Sequence, residues 1–326
     1  MSEIRVGSVQ PSAMAHLAPF EGERDRQRAG ELLEQNVARA CRLLSQAGQA
    51  GCDIVCYPED LQGIAHYGYY LDDPELFSGF VEPIPGPTTE RLAAVARQYR
   101  MNIVFGLFER DGERIYNAAV LLGRDGRLLG KYHKVHLPAV ETWTETPGDG
   151  FPVFETDCGT IGMMICYDIL FPEAARCLTL NGAQLLFNPT MSYDAPAQCT
   201  DGGLLRVRMR ALDNFTPLVV SRCGQGSLIV DHGGEIVAQA SDGEQVISAT
   251  LDAAAAPQDH SQWELFTGTA DVRARLLQER RPEAYDVLTA AQPPIWPRYA
   301  DRRLQSSPEH IRKAYEEIRR RWSGEP

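Results

Sequence analysis

The chain has 326 residues, of which 44% are hydrophobic and 23% are charged. That composition is typical of a folded globular protein and excludes wholesale disorder. Thirty-two basic residues against 44 acidic ones give a net charge of −12. We therefore expect neither a nucleic-acid partner nor an anionic membrane, because phosphate-rich partners need a positive surface.

The amino terminus and the cysteines favour a cytoplasmic location. Residues 1–5 have no basic region followed by an apolar stretch, so no export signal is indicated. No apolar run reaches the roughly 18 to 20 residues of a membrane span. The eight cysteines are then expected to be reduced thiols. They form no CxxC pair, and Cys52 and Cys56 have no histidine at zinc-finger spacing, so we expect no metal site.

The predicted elements alternate between strands and helices, which is typical of an α/β fold. Residues 4–9 alternate apolar and polar like a strand. Residues 25–47 form a helix, with Leu33, Val37, Ala40 and Leu44 on one buried stripe. Further strands are predicted at 53–57, 102–108, 117–122, 161–165, 184–187, 218–221, 227–230 and 246–251, and further helices at 88–99 and 172–181.

Turn and cap residues separate these elements. Asp111-Gly112 predicts a hairpin turn between two strands, and residues 124–127 predict a similar turn. Thr88 or Thr89 is expected to cap the helix that follows.

The composition changes after about residue 290. Pro293, Pro294 and Pro297 interrupt regular structure, and a helix is predicted from residue 307 to about 322, with arginines at its end. We therefore expect one domain over residues 1–290 and an extension over residues 291–326 that docks on the same protomer or on a neighbour. A basic tail that binds nucleic acid is the alternative.

Three segments share one form, in which an apolar run ends at a reactive side chain. They are residues 54–59, ending in Pro58-Glu59, residues 131–138, containing Lys134, and residues 162–173, containing Cys166. Strand ends are where ligands and catalytic groups gather in α/β sheets. A thiol on a sharp strand-to-helix turn stands clear of its backbone, so that a substrate carbonyl can reach it.

These segments resemble the signature blocks of the nitrilase superfamily, the carbon–nitrogen hydrolases. The blocks are Pro58-Glu59, Lys134-Val135-His136-Leu137-Pro138 and Cys166-Tyr167-Asp168 with Pro172-Glu173. They occur in the family's order, and the resemblance extends from about residue 4 to about residue 286. It implies a four-layer α-β-β-α sandwich that needs no cofactor, with residues 1–290 as the catalytic domain, and a homodimer or larger homo-oligomer formed through helices.

The resemblance also implies roles for the catalytic groups. Cys166 would attack the substrate carbon and form a thioester, and Glu59 would act as general base and acid. Lys134 and the backbone N–H of Tyr167 would stabilise the developing oxyanion.

A second glutamate is expected between the lysine and cysteine blocks. Glu141 fits because the turn at residues 148–150 follows it, and Glu145 is the alternative. His133 and His136 raise the alternative of a Cys–His pair. A hydrogen bond from His136 that supports the lysine loop, residues 134–138, is favoured. Asp168 is expected either to orient the turn at Cys166 or to cap the helix after it.

Three aromatic residues are candidates for the substrate pocket, since they lie in loops that shape the pocket in the family. They are Tyr67, Trp143 and Tyr193; simple packing of the loops is the alternative.

The sequence predicts hydrolysis of a primary amide or an N-carbamoyl amine with release of ammonia. Cys166 is followed by Tyr167-Asp168, whereas nitrile hydrolysers of the family usually have Trp-Glu there, so a nitrilase is the less favoured alternative. A non-catalytic binding protein on the same fold is the alternative of another class.

Overall fold

The computed structural model describes residues 3–12, 26–65, 74–191 and 201–299, together with residues 309, 310, 313 and 317. Twelve strands of the described ranges form two six-stranded sheets. The sheets pack face to face and each carries helices on its outer side. The predicted four-layer α-β-β-α sandwich is therefore confirmed.

The bounds of the elements follow the chain. The strands are β1 Ile4–Gln10, β2 Ile54–Cys56, β3 Asn102–Asp111, β4 Arg114–Leu122, β5 Leu128–His133, β6 Val153–Thr156, β7 Gly159–Met163, β8 Leu185–Thr190, β9 Leu218–Arg222, β10 Leu228–Val230, β11 Ile236–Gln239 and β12 Gln245–Leu251. The helices are α1 Arg26–Gln49, α2 Pro74–Phe80, α3 Pro87–Tyr99, α4 Pro172–Leu180, α5 Asp201–Leu212, α6 Gln262–Thr267 and α7 Val272–Gln278.

Sheet 1 has the strand order β12-β1-β2-β3-β4-β5, and sheet 2 has the order β11-β10-β9-β8-β7-β6. The central pairs β1-β2, β2-β3, β7-β8 and β8-β9 are parallel. Strand β4 is antiparallel to both β3 and β5, so β5 runs in the same direction as β2. The loops after β2 and β5 therefore leave sheet 1 at the same end, at the carboxyl ends of both strands. Ligands bind at the carboxyl ends of strands in open α/β sheets.

Apolar side chains point to both faces of the central strands, so each sheet has core on both of its faces. In β3, Ile103, Phe105 and Leu107 pack toward the helices, whereas Val104 packs between the sheets. Successive strand side chains point to opposite faces, so one apolar strand supplies two layers of core. The inner layer joins the sheets, for example through Phe187 of β8.

Helices α1 and α3 cover the outer face of sheet 1. The predicted stripe of α1 is confirmed, because Val37, Ala40 and Leu44 are buried in this layer and Leu33 packs against it. The predicted cap of α3 was wrong. The N-cap residue is Gly86, and Thr89 acts from inside the first turn, where its hydroxyl accepts a hydrogen bond from the Gly86 N–H at 2.6 Å.

Helices α4 and α5 cover sheet 2, with Leu178 and Val207 buried against it. The chain beyond β12 runs over the surface in short helices and a 3-10 helix at Trp296–Tyr299. Most of the predicted helix at 307–322 lies outside the described residues. None of the described helices is long and apolar enough to cross a bilayer.

Candidate active site

Glu59 lies in the loop that follows β2, at the carboxyl end of that strand. The loop lies directly on β3, where Gly106 N–H donates to the Pro58 carbonyl at 3.1 Å and the Leu61 N–H donates to the Gly106 carbonyl at 3.0 Å. A Cβ at Gly106 would lie 2.4 Å from the Glu59 Cα. Only glycine lets the two backbones approach this closely, so the sequence of β3 fixes the position of Glu59.

Lys134 lies between two carboxylates just after β5. Its Nζ donates to Glu59 Oε1 at 2.9 Å and to Glu141 Oε1 at 2.7 Å. Glu59 is 0% exposed, Lys134 is 1% exposed and Glu141 is 4% exposed. Buried charges are costly unless paired and hydrogen-bonded, so the three groups form one interdependent unit.

Glu59 has two further partners that fix both of its oxygens. Asn117 Nδ2 donates to Oε1 at 2.7 Å, and the backbone N–H of Met191, after β8, donates to Oε2 at 2.7 Å. Hydrogen bonds to an ionised carboxylate are among the strong ones in proteins. The carboxylate is thus held by residues of both sheets.

Cys166 follows β7 in a strained turn. Its φ of 40° lies in the left-handed region, whereas Ile165 before it is extended. Such a conformation costs about 1 to 3 kcal/mol in a residue other than glycine, and it is frequent at functional sites. The half-buried side chain points its Sγ toward the Met191 carbonyl, 3.7 Å away.

Burial and charge set the protonation of these groups. Burial and the negative charge of Glu59 raise the pKa of the Cys166 thiol well above its usual value, and Lys134 opposes this only in part. Burial lowers the pKa of Lys134, but the charges of Glu141 and Glu59 outweigh it and hold that pKa well above its usual value. Burial raises the pKa of Glu141 to about 7, although Lys134 acts against it. The resting site therefore holds a thiol beside a permanent cation.

The second glutamate and the aromatic candidates lie as follows. Glu141 makes the ion pair with Lys134, whereas the Glu145 carboxylate accepts from the Thr144 hydroxyl at 2.6 Å. Trp143 is half-buried in the same 3-10 turn as Glu141. The other two candidates, Tyr67 and Tyr193, lie outside the described residues.

The two histidines near Lys134 hydrogen-bond to carboxylates outside the group of Glu59, Lys134 and Glu141. His133 Nε2 lies 2.6 Å from Glu109 Oε2, and the ring stacks on Tyr116 with centroids 3.8 Å apart. His136 Nδ1 lies 2.8 Å from Asp168 Oδ1. Both rings thus have partners that anchor the lysine loop.

Asp168 belongs to the turn at Cys166. Its Oδ2 accepts the Ile165 N–H at 2.8 Å. The residue that caps α4 is Phe171. Of the two roles considered for Asp168, the geometry favours orientation of the turn.

Two groups at the site were not found from the sequence, namely Asn117 and the Met191 backbone. Asn117 opens an apolar stretch of β4 and is 1% exposed, so a buried amide among strand hydrophobics was the available signal. Every residue except proline carries a backbone N–H, so no residue type signals the Met191 contact.

Among the described residues there is neither a metal-binding cluster nor a disulfide. Within the described ranges no group of three or more His, Cys, Asp or Glu side chains could hold a metal ion. The seven cysteines described there are free thiols, and Cys199 lies outside the described residues.

Comparison with known proteins identifies the class. The family model for carbon–nitrogen hydrolases matches residues 6–259. The chain is 35% identical over 238 residues to omega-amidase NIT2 of Xenopus tropicalis, which covers 67% of this chain and 83% of that protein. It is 33% identical over 283 residues to N-carbamoylputrescine amidase of Solanum lycopersicum, covering 78% and 89%.

A solved structure agrees in fold. The carbon–nitrogen hydrolase of Helicobacter pylori G27 superposes with a TM-score of 0.66 at 24% identity, covering 89% of this chain and 99% of that one. The chain belongs to the carbon–nitrogen hydrolase family, and the predicted resemblance is confirmed. It is a hydrolase of carbon–nitrogen bonds with amidase relatives.

Proposed function

We propose that this protein hydrolyses a primary amide or an N-carbamoyl amine through a thioester on Cys166. The observation that carries the proposal is the Lys134 ammonium held at 2.9 Å and 2.7 Å from two carboxylates, with the Cys166 thiol electrostatically coupled to all three groups. A nucleophile, a base and a cation in one buried cluster are what acyl transfer from a poor electrophile requires.

The first half of the reaction forms the thioester. The Cys166 Sγ attacks the amide carbon while Glu59 takes the thiol proton, because the raised pKa of the thiol leaves little thiolate at neutral pH. The developing oxyanion is stabilised by Lys134 and by the Tyr167 N–H. Glu59 then passes its proton to the leaving nitrogen, the C–N bond breaks and ammonia departs.

The second half returns the enzyme to its resting state. Water attacks the thioester carbon while Glu59 takes a proton from it, and the C–S bond breaks. The acid leaves and the sulfur is reprotonated. Glu141 orients Lys134 throughout, as its 2.7 Å contact with Nζ supports.

The substrate class follows from two kinds of support. Tyr167-Asp168 after the nucleophile favours an amide or carbamoyl group over a nitrile. The relatives named above are amidases, one of omega-amides and one of N-carbamoylputrescine. No basic residue follows Cys166 directly, so a carbamoyl amino acid has no specific support. Tyr67, Trp143 and Tyr193 are proposed to line the pocket.

Ammonia release tests the proposal. The panel contains a terminal amide of a dicarboxylic acid, N-carbamoylputrescine and an aliphatic nitrile, each with the wild type and with Cys166→Ala. We expect release from an amide or carbamoyl substrate by the wild type alone, together with a thioester on Cys166 detected by mass spectrometry. Equal release by both proteins, or an acyl group on another residue, contradicts the proposal. A nitrile as the preferred substrate would favour the nitrilase alternative.

A binding protein without activity is the alternative from another class. Burying a cation between two carboxylates is costly, and a protein without catalytic activity does not need such an arrangement. The retention of Glu59, Lys134 and Cys166 together therefore favours the enzyme.

We also propose that the protein forms a homodimer or larger homo-oligomer. Helices α4 and α5 expose Leu180, Leu205 and Leu212, at 41%, 56% and 38%. In the segment after β12, Leu265 is 86% exposed and Phe266 is 74% exposed. Large apolar side chains exposed to this extent are candidates for a contact surface, and a second copy is the partner that the family resemblance implies. Light scattering of the wild type and of Leu205→Glu tests this; a monomeric wild type contradicts it.

The domain boundary at residue 290, the docking role of residues 291–326 and the cytoplasmic location stay predictions. A chain ended at residue 290 that keeps its activity would support the boundary.

A further inference from the structure

Asp168 is a buried carboxylate that the reaction described above does not use. It lies in the 3-10 turn Cys166–Leu170 and is 0% exposed. Within the described ranges, no lysine or arginine hydrogen-bonds to its carboxylate. A buried charge without such a cation must be stabilised by hydrogen bonds.

The carboxylate accepts hydrogen bonds from two loops at once. Oδ2 accepts from the Ile165 N–H at 2.8 Å and from the Tyr132 hydroxyl at 2.7 Å. Oδ1 accepts from the His136 N–H at 3.0 Å, and Nδ1 of the His136 ring lies 2.8 Å from the same oxygen. Ile165 directly precedes the nucleophile, whereas Tyr132 and His136 flank Lys134 by two residues on either side.

Three of the four partners are donors, which explains why this position needs a carboxylate. Two of them are backbone N–H groups, which can only donate. Burial and the neighbouring Asp168 raise the pKa of Tyr132, so its hydroxyl keeps its proton, and it also accepts from the Val135 N–H at 3.2 Å. An asparagine at this position would have one acceptor oxygen and one NH2 group, and the NH2 group would face donors instead of accepting from them.

The two loops belong to different sheets. Lys134 follows β5 at the end of sheet 1, and Cys166 follows β7 in sheet 2. Strand pairing within a sheet therefore cannot set the distance between the sulfur and the ammonium. The His136 ring, stacked on Phe171 with centroids 3.8 Å apart, braces the same connection.

We infer that Asp168 is a positioning residue that joins the Cys166 turn to the lysine loop, so that Sγ and the Lys134 Nζ face the same substrate carbonyl. The inference rests on the proposed function. It assigns to Asp168 no contact with substrate; its effect is on the alignment of the groups that stabilise the oxyanion. Small misplacements of such groups have large effects on rate and small effects on substrate binding.

Asp168→Asn tests the inference, since it keeps the size of the side chain and removes its charge. We expect kcat to fall by about 100-fold with KM changed by less than about 3-fold, because alignment rather than binding is lost. The rate of Cys166 alkylation by iodoacetamide should change by less than about 3-fold, since alkylation needs no oxyanion stabilisation. A role in folding alone would change thermal stability and leave kcat, corrected for the fraction of folded protein, at the wild-type value.

Tyr132→Phe keeps the test decisive if the asparagine variant does not fold. It removes one donor to Asp168 and leaves the charge in place, so we expect kcat to fall by about 5- to 10-fold at unchanged KM. Tyr116→Phe on β4 is the matched control, because its ring stacks on His133 away from the Asp168 carboxylate, and its kcat should equal that of the wild type.

The outcomes separate this inference from the proposed function. If the wild type releases no ammonia from any amide or carbamoyl substrate, the proposed function itself fails. If the wild type is active and Cys166→Ala is not, but kcat for Tyr132→Phe and for any folded Asp168→Asn equals that of the wild type, only the positioning role is overturned.

Discussion

The two sheets contribute to the site in different ways. Sheet 1 carries the charged groups, and Glu59, Lys134 and Glu141 are buried and joined by hydrogen bonds of 2.7 to 2.9 Å. Sheet 2 carries Cys166, which is half-buried, has a strained backbone, and has its sulfur 3.7 Å from the Met191 carbonyl. In the proposed mechanism the charged half is assembled before substrate arrives, whereas the nucleophilic half keeps the Cys166 sulfur free to attack.

This difference separates stability from activity. In the charged half each group satisfies another buried charge, so a substitution should disturb folding and catalysis together. In the nucleophilic half the Cys166 thiol interacts with Glu59, but that carboxylate keeps three other donors, so a substitution should disturb catalysis alone. The following predictions can break this distinction.

The largest effect on rate is expected for Cys166→Ala. Loss of the nucleophile should reduce kcat by about 10⁴- to 10⁶-fold. The free energy of unfolding should change by less than about 1 kcal/mol, because alanine keeps the Cβ and no buried charge depends on the thiol as its only partner. Ammonia release and urea unfolding measure the two quantities. Cys177→Ala, at a half-buried thiol on α4, is the matched control and should be fully active; a strongly destabilised Cys166→Ala would erase the contrast between the halves.

Lys134→Met should reduce both rate and stability. The variant leaves Glu59 and Glu141 buried without their cation, which typically costs about 3 to 5 kcal/mol, and kcat should fall by about 10³-fold. The loss of stability should shrink as the pH is lowered, because the carboxyls then become protonated. Urea unfolding at several pH values measures it.

Lys131→Met is the control for that variant. Lys131 pairs with Glu109, which keeps a 2.6 Å contact with His133. Although Glu109 is buried, Lys131 is one-third exposed, so its loss should cost less than the loss of Lys134, about 1 to 2 kcal/mol. If both lysine variants lose equal stability, the charged cluster has no special role in folding.

Glu141→Gln should have an intermediate effect that depends on pH. Burial raises the pKa of Glu141 from 4.5 to about 7, so the folded state binds the proton more tightly than the unfolded state. The contribution of this group to stability is then full below the unfolded value and is lost as the pH rises from 4.5 to about 7. Glutamine does not titrate, so the unfolding free energy of the wild type should decline relative to the variant across this range, by at most about 1.4 kcal/mol per pH unit.

Activity of the same variant gives a second measurement. Without the charge of Glu141, Lys134 is less firmly oriented, and kcat should fall by about 10- to 100-fold. A flat stability difference across the range would mean that Glu141 is ionised with an ordinary pKa, and the cluster would then be less tightly coupled than its geometry indicates.

The clear pattern of the central strands predicted an α/β fold, and the family resemblance implied the four-layer sandwich. In β3 the apolar residues serve both faces, so 102–108 was recognised, and only the end at Asp111 was missed. Strand β6 was not predicted, because Val153–Thr156 has four residues of which none is buried. Short edge strands depend on their partner for stability and have little pattern of their own.

The site divides in a similar way. Glu59, Lys134 and Cys166 stand in motifs that the sequence displays, and the structure brings all three to one edge. The choice between Glu141 and Glu145 needed coordinates, because both glutamates lie in one short turn region and the Lys134 Nζ contact at 2.7 Å distinguishes Glu141. Contacts made across the two sheets, such as that of the Met191 N–H with Glu59, cannot be read from spacing along the chain.

Asn117→Ala should have the smallest effect of these predictions. It removes the 2.7 Å hydrogen bond to Glu59 Oε1 while Lys134 and Met191 still hold the carboxylate, so kcat should fall by about 10-fold. Asn214→Ala is a closely matched control, since both amides are buried, both have an unsatisfied Oδ1 and Asn214 Nδ2 donates to the Arg210 backbone carbonyl rather than to Glu59. Both variants should lose about 1 to 2 kcal/mol of stability, but only Asn117→Ala should lose rate. Equal rates for the two would mean that the charged half holds Glu59 without help from its own strand β4, and the interdependence argued for that half would extend only to Lys134 and Glu141.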